Sequence, residues 1–219
     1  MTTPEREQKR LDRLQSLVDP AHTAVLTMEL QNGVVGEGAM LQALVDRVAE
    51  GGVLDAAGRL CRAARAAGAH VVHCTAEHRA DGAGATTNSK ISSMGERLRE
   101  QGVVPLEIGT RGAAVVDELD QQPSDVVVAR MHGMTPFMST SLDQMLRNMG
   151  VTTIVATGVS VNLGILGLCI NAIDLGYDVV LARDAVAGVP ADYADAVIDN
   201  TLSLLATLST TDEITARWA

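Results

Sequence analysis

Short apolar runs alternate along this chain with stretches of helical spacing. Residues 24–30, 70–74, 125–129, 151–157 and 177–182 are dense in Val, Ile, Leu and Ala, the pattern of strands buried on both faces. Between them, 53–67 is Ala-rich with apolar positions at helical spacing, and Gly68 stops it. Residues 3–18 also read as a helix. Thr3 suits its cap, Pro4 its first turn, and Leu11, Leu14, Leu17 and Val18 fall on one face. Further helices are predicted over 112–120, 139–148 with Ser139 or Ser141 as cap, 163–175 closed by Gly176, and 192–208. Residues 158–162 form a tight connection. Residues 76–105, rich in Gly, Thr, Asn and Ser, read as irregular and are too long for a simple link.

Strands alternating with helices imply βαβ units, and so an α/β fold: a three-layer, doubly wound, mostly parallel sheet with helices on both faces. Residues 1–20 are expected to form an N-terminal helical arm, and 21–219 one domain. Ligands in such sheets bind outside the C-terminal ends of the strands. Glu29, Gln31, Asn32, Arg130, His132 and the turn 158–164 all fall at such ends. Far apart in sequence, they are predicted to converge.

The chain has 219 residues and 47% hydrophobic content, enough for one sizeable core. Aromatic residues make up only 2%, so that core must be aliphatic. The net charge of −10 argues against nucleic acid and against an anionic membrane surface as partners. Cys61, Cys74 and Cys169 form no CxxC pair, which points to reduced thiols. The charged start of the chain has no apolar signal core, and no run approaches the roughly 20 apolar residues of a membrane span. A cytoplasmic protein is expected. With no phosphate loop or dinucleotide fingerprint, no cofactor is expected.

Four segments, in order, resemble the isochorismatase-like hydrolase superfamily: AVLTMELQNG (24–33), RAAGAHVVHCTAEHR (65–79), VVARMHGMTPFMSTSLDQMLRNMGVTTIVATGVSVNLGI (127–165) and AIDLGYDVVLARDAVAG (172–188). The resemblance covers about residues 21–215. Amidases of that superfamily use an Asp–Lys–Cys triad. Carried over by motif, those positions are Glu29, Arg130 and Gly164 here, so the nucleophile is missing. The resemblance further implies a non-proline cis bond between Val159 and Ser160. It also implies self-association as a dimer or tetramer. Gln31, His78, His132, Phe137, Val159 and Ser160 are the candidate substrate-binding residues, with Gln31 and Asn32 readable as strand-end caps as well. Ser160 reads as a turn residue rather than a nucleophile, and Asn162 as a helix cap.

True isochorismatases are similar in having glycine at the nucleophile position. Their vinyl-ether hydrolysis needs a general acid rather than a nucleophile. Glu29 is then the candidate acid/base, Arg130 a fork for a substrate carboxylate, and Gly164 room for a small-molecule substrate. Two other readings stay open. Glu29 and Arg130 could pair as an inert couple in a binding protein, or Cys74 could serve an amidase. The metal-binding pattern of nicotinamidases is matched near Glu77 and His78 only in part, so no metal is expected.

Overall fold

A computed structural model describes residues 3–138 and 140–219, with side chains from residue 5 onward. The caps expected of Thr3 and Ser139, and the ring of Pro4, lie outside what is described. Six strands form one parallel sheet: β1 (Thr23–Met28), β2 (His70–Ala76), β3 (Val126–Arg130), β4 (Thr153–Val159), β5 (Asp178–Ala187) and β6 (Thr207–Ser209). Their order is β3-β2-β1-β4-β5-β6. The chain starts at the centre, winds outward through β2 and β3, then returns to the far side of β1 as β4. The direction of winding therefore reverses between β1 and β4, the kind of switch point at whose C-terminal strand ends α/β sheets bind ligands.

Both faces of the sheet are covered. All six residues of β1 are buried. Leu26 and Met28 point into one core, with Leu142 and Leu146 of α6 (Leu142–Asn148) and Leu168 and Ala172 of α7 (Leu166–Asp174). Val25 points into the other core. That core also holds Leu14 of α1 (Thr3–Leu17), Leu44 and Val48 of α3 (Gln42–Glu50), and Leu60 and Ala64 of α4 (Val53–Ala67). The alternation follows from the two-residue period of a strand. The arm α1 packs on its own chain. Val18 is fully buried, its carbonyl accepts from Trp218 Nε1 at 2.6 Å, and Arg10 pairs with Glu213. Helix α4 ends as expected, with Gly68 in the left-handed region at φ 85°.

Four expectations need correction. First, 112–120 is not a helix; only Asp117–Leu119 makes a 3₁₀ turn. The segment before it is a strap laid across the end of β1. Gln31 and Val115 form an antiparallel bridge, and Val116 N donates to Leu30 O at 3.0 Å. Second, 76–105 contains α5 (Lys90–Glu100), begun by a reciprocal capping box between Ser89 and Ser92. Third, 192–208 is not one helix. It divides into α8 (Ala191–Val197), a π-helical turn Ile198–Leu202 and α9 (Ser203–Leu205), and ends in β6, a sixth strand beside Val180–Ala182. Fourth, α7 is preceded by a π-helical turn, Val161–Ile165, rather than starting at residue 163. Among the remaining elements, α2 (Asn32–Val35) is a single turn after β1, and α10 (Thr211–Thr215) closes the second core through Ile214. Ser141 makes no capping bond; Thr140 Oγ1 accepts from Leu142 N at 3.0 Å instead. No helix among the described residues is long and apolar enough to cross a membrane.

Candidate active site at the ends of β1, β3 and β4

β1 stops at Met28 because the next residue leaves the sheet. Glu29 has φ 51°, a left-handed conformation that few residues other than glycine adopt, at a cost of roughly 1–2 kcal/mol. Its N–H donates to Cys74 O at 2.9 Å, so the turn is held over the end of β2. Arg130, the last residue of β3, lies opposite Ala76 of β2. Its guanidinium reaches across β2, donating to Thr75 O at 3.4 Å and Gly133 O at 3.2 Å, and meets the Glu29 carboxylate. The Arg130 side chain is 5% exposed and that of Glu29 21%. Burial pulls the Arg130 pKa down to about 10, which still leaves it charged at neutral pH.

Gln31 lies just behind this pair and is fully buried. Its amide donates to Ala76 O at 2.9 Å and Ala113 O at 2.7 Å and accepts from Ala76 N at 2.8 Å. These bonds clamp β2 and the strap together. Gln31 thus holds the wall of the site and has no donor left for a ligand.

On the β4 side, Val159 is buried and the Val159–Ser160 peptide is cis. Ser160 O accepts from the N–H groups of Leu163 and Ile165, both at 3.1 Å. Its hydroxyl donates to Asn162 Oδ1 at 2.7 Å, while Asn162 Nδ2 reaches Val189 O at 3.4 Å. Asn162 thus ties two loops and caps no helix. Gly164 is buried against β1: a Cβ there would lie 2.9 Å from Met28 Cε and 3.2 Å from Val159 O. The room expected at Gly164 is filled by Met28. Since Met28 also precedes Glu29 directly, the β1 and β4 sides of the site meet at this methionine.

The other expected residues sit in varied surroundings. Phe137 is 6% exposed and belongs to the first core, its ring 5.9 Å from that of Tyr177. His132 is exposed. His78 is half-buried beside the chain of Leu106 and Ile108, and burial lowers its pKa. His73 is fully buried, with Thr27 on Nδ1 at 2.8 Å and Asp125 on Nε2 at 3.2 Å. Among the described residues, no three His, Cys, Asp or Glu side chains gather around a possible metal. Cys61, Cys74 and Cys169 are buried, and burial pushes each thiol up to about 12.

Residues 23–213 match the model of the Isochorismatase domain. The chain belongs to the isochorismatase family. Among curated members, it is 30% identical over 183 residues to the ureidoacrylate amidohydrolase RutB of Rhizobium rhizogenes, covering 80% of this chain and 74% of that one. RutB of Methylorubrum extorquens is 32% identical over 183 residues, covering 79% and 73%. The structure of an isochorismatase family protein from Desulfovibrio vulgaris superposes with a TM-score of 0.76 at 27% identity, over 90% of this chain and 97% of that one. N-carbamoylsarcosine amidase from Thermoplasma acidophilum shares the fold, with a TM-score of 0.66 at 20% identity, over 87% and 97%. The isochorismatase-family relationship makes the chain a member of a hydrolase family and accounts for its parallel sheet. Met28 and the 113–116 strap escaped the sequence reading because neither carries a reactive group. The apolar residue directly before Glu29 was the one available signal for Met28.

Proposed function

We propose that this chain is a hydrolase that works without a cysteine nucleophile, with Glu29 carrying the proton and Arg130 binding the carboxylate of a small substrate. The observation that carries this reading is the contact between Glu29 and Arg130 across the end of β2. The three buried thiols support it, because a thiol raised to about 12 holds almost no thiolate at neutral pH.

The resting pair is then a stored arrangement. Arg130 favours the ionised form of Glu29 while the two touch. A substrate carboxylate that takes the guanidinium fork displaces Glu29, which loses its counter-charge in a partly buried place. Its proton affinity rises, and the carboxyl becomes a competent acid. Protonation of a vinyl-ether carbon by Glu29 gives an oxocarbenium ion. Water adds to it, and its proton returns to Glu29. The hemiketal then breaks into a ketone and an alcohol. Gly164 marks, on this reading, the place where other members carry a thiol.

A second reading follows from the RutB relatives, which are named amidohydrolases. There Glu29 would act as base toward water attacking a C–N carbonyl. Both are tested by measuring pyruvate release from isochorismate and the hydrolysis of ureidoacrylate, with wild type beside Glu29→Gln. Loss of proton transfer costs about 10²–10⁴-fold in rate. Pyruvate release that falls by this factor in the variant supports vinyl-ether hydrolysis. The same fall on ureidoacrylate alone moves the reading to amide chemistry. Turnover that survives Glu29→Gln sinks both. Ligand binding without any turnover leaves a binding protein with an inert ion pair.

A further inference from the structure

Two glycines bracket Met28. Gly158 of β4 lies opposite it in the sheet register, with φ 112°. A Cβ there would come within 2.2 Å of Met28 O and 2.7 Å of Met28 N. The backbone of Met28 is therefore pinned against β4. Its side chain, fully buried, lies against Gly164 on the other side. A Cβ at 164 would meet Met28 Cγ at 3.3 Å as well as Cε at 2.9 Å, with Val159 O at 3.2 Å. Turning the terminal methyl alone would not relieve the Cγ contact, and the carbonyl is backbone. Ordinary carbon contacts begin at about 3.5 Å.

We infer that Met28 is a specificity-determining plug: its thioether occupies the volume a side chain at 164 would need and confines the substrate to the Glu29–Arg130 side. The consequence for substrate rests on the hydrolase reading above; the packing claim does not. The glycine and the methionine form one unit. A thiol placed at 164 without changing Met28 is crowded and shielded, so a nucleophile can be introduced only if both positions change.

A double-mutant cycle tests the unit. Wild type, Met28→Ala, Gly164→Cys and the double variant are unfolded in urea. Overpacking a core typically costs about tenfold or more in the folding equilibrium. Gly164→Cys is expected to show that loss beside Met28 and to recover most of it in the Met28→Ala background. Gly164→Ala, which adds only the Cβ, serves the same cycle if the cysteine variant does not fold. Iodoacetamide labelling at residue 164, read by peptide mass, is expected to be about tenfold faster in the double variant than in Gly164→Cys, in keeping with that cost. Equal stability losses in both backgrounds, or equal labelling rates, overturn the inference. Neither readout needs turnover, so failure of the hydrolase reading is seen separately, in the Glu29→Gln assay.

Discussion

Glu29, Gln31 and Arg130 illustrate three uses of a polar side chain within one strand-end cluster. Glu29 stays partly open and meets a single cation. Arg130 is nearly closed off, and its charge is shared between one carboxylate and two carbonyls. Gln31 is wholly internal, and its three bonds all go to backbone. Removing it leaves the Ala76 N–H and the carbonyls of Ala76 and Ala113 without this partner. Each buried group left unsatisfied costs about 1–3 kcal/mol. Gln31→Ala is therefore expected to lose on the order of 3 kcal/mol in urea unfolding. It should also loosen the strap at 113–116. A loss under half a kilocalorie would mean that water replaces the amide and that the strap does not depend on Gln31.

At the scale of elements, α5 is the exception among the longer helices. None of its side chains is buried; Ile91 and Met94 are each 48% exposed. Its start depends on the Ser89–Ser92 capping box, in which Ser92 N donates to Ser89 Oγ at 3.2 Å and Ser89 N to Ser92 Oγ at 3.0 Å. Losing such a cap costs about 1 kcal/mol. With so little packing to share the loss, it should stay local. Ser89→Ala is expected to speed amide exchange in 89–101 about fivefold while leaving the thermal midpoint unchanged. A shifted midpoint would show that α5 unfolds with the body. The same weakness explains why α5 escaped the sequence reading: a short amphipathic stretch amid Gly, Thr and Asn resembles loop. β6 escaped for a different reason. Thr207–Ser209 is three residues long and follows helical spacing without a break, so only its pairing with Val180–Ala182 makes it a strand. β1 to β5 and α4 were legible because apolar runs and a terminal glycine mark them locally. The placing of Glu29 and Arg130 at strand ends was legible on the same ground. Their pairing was legible as one of the open readings, but its path was not, because it spans β2 and depends on how far each side chain reaches.

At the scale of the whole molecule, a polar chain that begins at Thr27, the residue before Met28, ties the centre of the sheet to a covering helix. Thr27 of β1 bonds His73 of β2, His73 bonds Asp125 just before β3, and Arg65 of α4 grips Asp125 through two nitrogens at 2.9 and 2.8 Å. Three neighbouring strands and a covering helix are joined by side chains that are almost wholly internal. Burial lowers the His73 pKa below its ordinary value of 6.5. For Asp125, burial pushes the carboxyl up, but hydrogen bonds from Arg65, Gln122 and His73 outweigh it and the net shift is downward. Both shifts act in one direction. Unfolded His73 takes a proton near pH 6.5 that the folded chain refuses, so stability is full above that pH and falls as the pH drops toward the folded value. Asp125 contributes stability above its unfolded pKa of about 4, lost on further acidification. The slope between these regions is at most about 1.4 kcal/mol per pH unit for each such proton. Urea midpoints at pH 8, 6.5 and 5.5 should therefore decline below pH 6.5. His78, also lowered by burial, contributes in the same sense. His73→Gln and His78→Gln measured side by side separate the two, and the larger flattening of the profile is expected in His73→Gln because its ring is fully enclosed. A wild-type midpoint that does not move between pH 8 and 5.5 would mean that Asp125 compensates His73 on protonation. The chain of bonds would then be a purely mechanical tie.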